Sequence, residues 1–213
     1  MTRRKHLKQS EVRTLPNVFH SKQPGLDKLI RTYFNNNNPF TLELGCGNGE
    51  YSNTLAQKHP DRNFLGIDRA GARIWAASKA SLNLNLHNTA FVITYVEKLL
   101  EIFNQPVVDE IWIPYPNPLP HRRKMKKILT NPAFLEIYKK ILRPDGIIHL
   151  KTDDDFLYEY TLQIIEEMKM TIRFSTNNLT PESGAPQDAL IVTRFEQDHL
   201  FAGKTIKYLS FSF

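Results

Sequence analysis

Cysteine is almost absent: Cys46 is the single one among 213 residues, which excludes an internal disulfide framework and any cysteine-rich zinc site and suits a reducing compartment. No apolar run approaches the roughly 20 residues that cross a bilayer. The start from Met1 to Arg13 is basic and polar, without the short apolar stretch and small-residue cleavage site of a secretory signal. Cytoplasmic residence without membrane association is therefore expected. Metal-ligand spacing is missing as well. The histidines at positions 6, 20, 59, 87, 149 and 199 form no His-Glu-x-x-His pattern and no Cys-x-x-Cys pair exists, so no metal is expected. There is no internal repeat. What remains is an ordinary globular composition, 41% hydrophobic and 23% charged, in a length that suits one α/β or α+β domain.

The charge is unevenly placed. Arg3, Arg4, Lys5, Lys8 and Arg13 against Glu11 give residues 1 to 13 a charge of +4, and Arg122, Arg123, Lys124, Lys126 and Lys127 give residues 121 to 127 a charge of +5, so the net +6 leaves −3 for everything else. Concentrated positive charge raises the local density of a polyanion and its encounter rate. The plainer alternative is a solvated face, which is what most charge runs are.

From about residue 41, strand-like runs alternate with segments of helical period. Thr41–Gly45, Asn63–Asp68, Phe91–Thr94, Val108–Ile113 and Gly146–Thr152 read as strands; Asn48–Lys58, Arg73–Leu84, Glu97–Phe103, Pro132–Leu142 and Phe156–Met168 read as helices. Such alternation with short connections predicts a doubly wound α/β domain with a mostly parallel sheet. A late pair of strands, Thr171–Ser175 and Lys204–Ser212, flanks the polar stretch Thr176–Gln187 and is expected at the sheet edge. Residues 1–40, ending in the polar run Asn35–Asn38, are expected to form a weakly structured arm, with the domain proper spanning 41–213.

One motif lies on a strand, a glycine turn and a helix: Leu42-Glu43-Leu44-Gly45-Cys46-Gly47-Asn48-Gly49-Glu50, with Asp68 ending the next strand. Glycines there let the chain turn sharply and let a ligand approach the backbone, and an acid about 20 residues on is placed to accept from ribose hydroxyls. A dinucleotide fingerprint needs glycine where Glu50 stands, and a carboxylate repels pyrophosphate. No Gly-Lys-Ser/Thr follows, so a P-loop is excluded too. S-adenosylmethionine, which has no phosphate but carries a sulfonium and an amino group, tolerates a carboxylate such as Glu43. Cys46 reads as a small filler of the turn rather than a reactive thiol.

The second motif follows the strand Val108–Ile113. Pro116 and Pro118 flank Asn117 and the cationic run comes next; alternate prolines lack donors and enforce a stiff loop. In open parallel sheets the ligand crevice lies beyond the carboxyl ends of the strands, which places Asn117 near a methyl donor. Tyr115 is the stacking candidate because this loop should expose it. Trp75, Trp112 and His149 read as core residues.

The glycine turn and Gly66-Ile67-Asp68 resemble the first two motifs of class I methyltransferases. The segment from Ile113 through Pro114-Tyr115-Pro116-Asn117-Pro118-Leu119-Pro120-His121-Arg122-Arg123 to Lys127 resembles the hallmark loop of bacterial tRNA (guanine-N7) methyltransferases, and two further stretches resemble the same family, Gly146 to Asp153 with its Thr152-Asp153, and Thr193-Arg194-Phe195-Glu196. The resemblance runs from about residue 41 to the C-terminus. It implies a seven-stranded, Rossmann-like sheet with an antiparallel C-terminal edge strand, and transfer of a methyl group from S-adenosylmethionine to N7 of the guanine at tRNA position 46, by a monomer or homodimer. It further implies that Glu43, Gly45, Gly47, Asp68, Thr94 and Asn117 bind the cofactor and that Asn117 is the catalytic residue. His121, Arg122, Arg123, Asp153, Thr193, Arg194, Phe195 and Glu196 would bind tRNA. Four positions depart from the family pattern. Thr94 and Asn117 stand where it has Asp, Leu119 where it has Trp, and His121 where it has Lys.

Guanine N7 carries an in-plane lone pair and no proton, so its methylation needs no general base. Asn117 keeps one carbonyl acceptor but loses a charge and a second acceptor, a loss of roughly 1 to 3 kcal/mol or on the order of 10- to 100-fold in rate. Asp153 or Glu196 is a candidate to supply the missing carboxylate. Two alternatives stand beside this reading: a tRNA-binding homologue with impaired turnover, and an enzyme acting on an exocyclic amine, for which Leu119 and Pro120 replace the needed proline and aromatic.

Overall fold

The computed structural model describes Lys8, residues 10–119 and residues 125–213. Its strands are β1 (Val18–His20), β2 (Phe40–Leu44), β3 (Asn63–Asp68), β4 (Thr89–Ile93), β5 (Val108–Pro114), β6 (Leu142–Thr152), β7 (Thr171–Thr176) and β8 (Lys207–Ser212). The helices are α1 (Leu26–Phe34), α2 (Glu50–Lys58), α3 (Gly71–Asn83), α4 (Leu99–Ile102), α5 (Pro132–Ile141), α6 (Asp155–Glu167) and α7 (Arg194–Phe201). One eight-stranded sheet results, in the order β1-β4-β3-β2-β5-β6-β8-β7. All pairs are parallel except those made by β8, which runs antiparallel to both β6 and β7. The C-terminal strand is thus inserted beside the edge, with β7 outermost.

Alternation along the strands sorts side chains onto two faces. Leu42, Leu44, Leu65, Ile67, Ile111, Ile113, Ile148 and Leu150 join a core with residues of α1, α4, α5 and α6. Phe64, Trp112 and Tyr208 pack on the other face with Tyr51, Leu55 and Ala56 of α2, while Phe91 packs there with Ile74 and Ala77 of α3. Glu43, His149 and Lys151 alternate with the first set, so the same second face holds these buried polar side chains.

The expectation of a loose arm is corrected from Val12 onward. Val12 and Val18 are buried against α3, and β1 pairs with β4 from Val18↔Phe91 to His20↔Ile93, adding an eighth strand. Helix α1 buries Leu26, Ile30 and Phe34, one residue in four on a single face, and ends where Asn35 turns left-handed (φ 48°) and donates its N–H to Arg31 O at 2.8 Å. Arg3, Arg4 and Lys5 lie outside the described residues, as do Pro120, His121, Arg122, Arg123 and Lys124.

Candidate functional site

The chain moves outward from β2 through β3 to β4, then returns to the opposite side of β2 at β5. β2 and β5 are parallel neighbours, with Glu43 opposite Trp112, so the segments leaving their carboxyl ends diverge over one crevice, the topological switch point of an open α/β sheet. The glycine turn leaves β2 there, and the Asn117 loop leaves β5. Asp68 and Thr94 lie at the carboxyl ends of β3 and β4, Asp153 just beyond β6.

The turn is built from left-handed backbone. Gly45 and Gly47 have φ of 73° and 55°; a Cβ on Gly45 would meet nothing within 4 Å, and one on Gly47 only Gly45 O at 3.9 Å. This backbone therefore faces open space. Gly49 (φ 68°) differs, because a Cβ there would sit 2.5 Å from Ala77 Cβ and 2.9 Å from Phe91 Cε1. Its role is the close approach of α2 to α3 and β4. Cys46 is the filler expected: its Sγ lies where a Cβ on Gly66 would reach, at 2.8 Å, and burial with the nearby Glu43 and Asp68 charges pushes the thiol well up.

Asp68 organises the rim. Oδ2 accepts from Gly47 N at 3.0 Å and Oδ1 from Ala70 N at 2.7 Å, with Arg73 Nη1 at 3.9 Å. Each oxygen keeps a further lone pair. Thr94 is 4% exposed, and its Oγ1 has no hydrogen-bond partner among the described residues, while its N–H donates to Asp68 O. Glu43 is buried beneath the turn and accepts from Ser52 N at 2.9 Å and from Ser52 Oγ. Burial pushes its carboxyl up to about 7 against the pull of the Ser52 bonds, and the Asp68 and Glu50 charges add to the rise.

Beyond β5, Tyr115 N donates to Lys151 O at 2.8 Å while Tyr115 holds a φ of 51°. Tyr115 is not the exposed stacking platform expected. Its ring packs on Phe195 (centroids 5.0 Å apart), and its hydroxyl is buried beside Glu196; burial pushes the phenol up and the Glu196 charge adds to the rise. Asn117 is exposed, its Oδ1 accepting from Leu119 N at 3.3 Å. The expected substrate residues His121, Arg122 and Arg123 fall outside the described residues.

Residues 193–196 form the first turn of α7. Thr193 caps it, accepting from Glu196 N at 3.2 Å, and both carboxylate oxygens of Glu50 accept from Arg194 N at 2.9 and 3.0 Å. Thr193 and Glu196 turn inward, whereas Arg194 and Phe195 are exposed. Glu196 accepts from Lys151 Nζ at 2.8 Å, and Asp153 from His199 Nδ1 at 2.8 Å and Lys204 Nζ at 2.5 Å. Burial raises the Asp153 carboxyl, but the bonds from Lys204 and His199 outweigh it and hold the group below its ordinary range. Neither candidate for the missing carboxylate is therefore unpaired. Sequence reasoning missed Lys151 and Glu50 as organisers here; a lysine directly after Leu150, near the end of the strand expected over Gly146–Thr152, was the available signal.

His149 and Trp112 are core residues, as read. Their rings stack at 3.9 Å and 5°, and His149 Nδ1 meets Tyr208 OH at 2.8 Å. Among the described residues no group of histidine, cysteine and carboxylates could hold a metal ion.

Comparison with known proteins agrees with this geometry. A family model described as "Putative methyltransferase" matches residues 37–209. A tRNA (guanine-N(7)-)-methyltransferase of Christiangramia forsetii is 40% identical over 196 residues, covering 92% of this chain and 86% of that protein. One of Porphyromonas gingivalis is 43% identical over 180 residues, covering 84% and 73%. Among solved structures, the 16S rRNA methyltransferase KamB superposes with a TM-score of 0.67 at 16% identity, over 91% of this chain and 97% of that one, a likeness of fold. The sheet is accordingly that of a class I methyltransferase, and the chain belongs to the tRNA (guanine-N(7)-)-methyltransferase family.

Proposed function

We propose that this chain transfers a methyl group from S-adenosylmethionine to N7 of a guanine in tRNA, the guanine at position 46, in the cytoplasm and as a monomer or homodimer. The observation that carries the reading is the adjacency of β2 and β5, which opens the glycine turn and the Asn117 loop onto one crevice. The relatives' names supply the substrate class.

The residues fit the cofactor. Gly45 and Gly47 leave room above their backbone, Asp68 has lone pairs for ribose hydroxyls, and Thr94 offers an unpartnered buried hydroxyl. Glu43 lies below as a carboxylate for a cationic ligand. When bound, the cofactor supplies a methyl carbon activated by its sulfonium. Because guanine N7 needs no general base, this chain's task is positioning, and in-line attack depends on holding the base in a near-attack geometry. Asn117, with Pro116 and Pro118 on either side, presents an amide whose oxygen can accept from the guanine N1–H or N2–H. His121, Arg122 and Arg123 grip phosphates, and Arg194 and Phe195 meet tRNA from α7, which Thr193, Glu196 and Asp153 hold in place.

Incubation with unmodified tRNA and methyl-labelled cofactor, followed by nucleoside identification, tests the proposal. 7-Methylguanosine at position 46 is the expected product. A methylated exocyclic amine, or label in no nucleoside, overturns it. A slow enzyme is favoured over a fast one by one observation: Asp153 and Glu196 are each paired to a cation, so neither stands free to replace the carboxylate that Asn117 lacks.

A further inference from the structure

Lys151 is the least expected side chain in the molecule. It sits in β6 with 0% exposure, among the largest wholly buried residues, where a lone ammonium would be very costly. It is not alone. Nζ donates to Glu196 Oε2 and to Ile191 O, each at 2.8 Å, and lies 5.4 Å from the Tyr51 ring and 5.8 Å from the Tyr115 ring. An ammonium has three donors and no acceptor. Two are used on carbonyl and carboxylate oxygens, and the aromatic faces of Tyr51 and Tyr115 surround the third.

Those partners belong to four separate pieces of the site. Glu196 is in the first turn of α7, Ile191 is in the segment leading to it, Tyr51 is in the first turn of α2 after the glycine turn, and Tyr115 begins the loop that presents Asn117. Tyr115 is tied to Lys151 twice, by its ring and by the Tyr115 N to Lys151 O hydrogen bond, and it keeps a left-handed φ at that point. A non-glycine residue in that conformation persists only where its surroundings impose it. Asn117 follows two residues later.

We infer that Lys151 is a positioning residue for methyl transfer, its buried ammonium and backbone carbonyl together setting the Asn117 loop and the 193–196 turn in one fixed relation. The inference rests on the proposed activity. It also gives Glu196 a different part from the tRNA contact implied by resemblance: at 3% exposure and paired to Lys151, it orients the turn and leaves contact to Arg194 and Phe195. Two apolar side chains of similar volume would fill the same space, but without directed hydrogen bonds they would not impose the same angles on Ile191, Glu196 and Tyr115.

The test compares wild type, Lys151→Met, the double variant Lys151→Met/Glu196→Leu, and Glu196→Gln. Four readouts are taken: melting temperature, cofactor dissociation constant by calorimetry, and kcat and KM for unmodified tRNA. Lys151→Met strands a buried carboxylate and should melt well below wild type. The double variant should regain most of that loss and bind cofactor within about twofold, yet keep a kcat roughly 10- to 100-fold low, the size expected of a displacement near 1 Å. Glu196→Gln retains an acceptor for Lys151 and should lower kcat with little change in KM. A double variant with wild-type kcat overturns the inference, as does Glu196→Gln raising KM alone, which would mark Glu196 as a tRNA contact. If both Lys151 variants fail to fold, Glu196→Gln decides. Inactive wild type would instead sink the proposed activity, so the two failures are distinguishable.

Discussion

Glu43 and His149 share a face of the sheet and make opposite demands on pH. Burial pushes the Glu43 carboxyl up from 4.5 to about 7, and burial pushes the His149 imidazole down from 6.5 to about 4. The signs follow from proton counting. Between 4.5 and 7 the unfolded chain has lost the Glu43 proton while the folded chain keeps it, so stability falls as pH rises through that window. Between 4 and 6.5 the unfolded chain gains the His149 proton while the folded chain refuses it, so stability falls as pH drops. At about 1.4 kcal/mol per unit, each contributes roughly 3 kcal/mol across its window. For a chain of this size that is about 6–12 °C in melting temperature. In the wild type the two slopes oppose each other from pH 4.5 to 6.5 and should largely cancel. Glu43→Gln removes the first and should leave a protein whose melting temperature climbs with pH up to about 6.5. His149→Phe keeps the stack on Trp112, removes the second, and should leave one whose melting temperature declines from about pH 4.5 to 7. Thermal melts at half-unit steps from pH 4 to 8 test both. If the Glu43→Gln curve runs parallel to wild type, Glu43 is ionised in the folded protein and the burial argument fails. The same carboxyl predicts that cofactor uptake at pH 6 releases close to one proton, because a cation beside Glu43 favours the carboxylate. Calorimetry in two buffers of different ionisation enthalpy reads this, and zero release would remove Glu43 from the cofactor's neighbourhood.

The two kinds of glycine in the turn should separate under substitution. Gly49→Ala, with overlap against Ala77 and Phe91 in addition to left-handed φ, should cost about 3 kcal/mol of stability in urea denaturation. Gly45→Ala meets only open space, so it should cost about 1 kcal/mol yet weaken cofactor binding at least tenfold; equal effects on both measurements would contradict the division. Asn117→Asp should raise the single-turnover methylation rate roughly 10- to 100-fold, since Asp153 and Glu196 are already paired; an unchanged rate would mean that another carboxylate reaches the guanine. Replacing Arg122, Arg123 and Lys124 with Ala should flatten the dependence of log affinity for tRNA on log salt by about 0.7–0.9 for each phosphate no longer neutralised, while cofactor affinity stays the same. An unchanged slope would show that this run does not grip the backbone.

The strands that build the crevice were legible because each carries a short cluster of apolar, largely β-branched or aromatic residues bounded by turn signals, such as Phe64-Leu65 with Ile67 and Ile111-Trp112-Ile113. Asn63–Asp68 is met to the residue, and the other parallel strands expected from residue 41 onward differ only at their ends. Strand β1 escaped along with two helices, and the helices did so for opposite reasons. Helix α1 has a clear apolar period at Leu26, Ile30 and Phe34, but the neighbouring run Asn35–Asn38 drew the whole region into the appearance of a polar arm. Helix α7 has no apolar period to read. Its buried residue is Glu196, while Phe195, Leu200 and Phe201 are exposed, because polar bonds from Glu50, Lys151 and Asp153 dock it in place of a hydrophobic stripe.

The site followed the same division. Glycine turn, acid at the end of β3 and proline loop were visible because each motif acts through local backbone geometry, which sequence spacing encodes. Invisible were the bonds that tie these motifs to one another, since they depend on which face of which strand a side chain occupies. Register settles that: Glu43 lies opposite Trp112, Trp112 opposite His149, and Lys151 opposite Tyr208. The row places a neutral aromatic stack between a buried acid under the glycine turn and a buried ammonium under the 193–196 turn. At neutral pH the depressed His149 adds no charge between them, so the acid answers to Ser52 and the space above the glycine turn and the ammonium to Glu196, each with little influence on the other. Substitutions at Glu43 and at Lys151 should therefore combine additively in melting temperature, and a coupling above about 1 kcal/mol in that double-mutant cycle would show the two halves of the site to be one electrostatic unit.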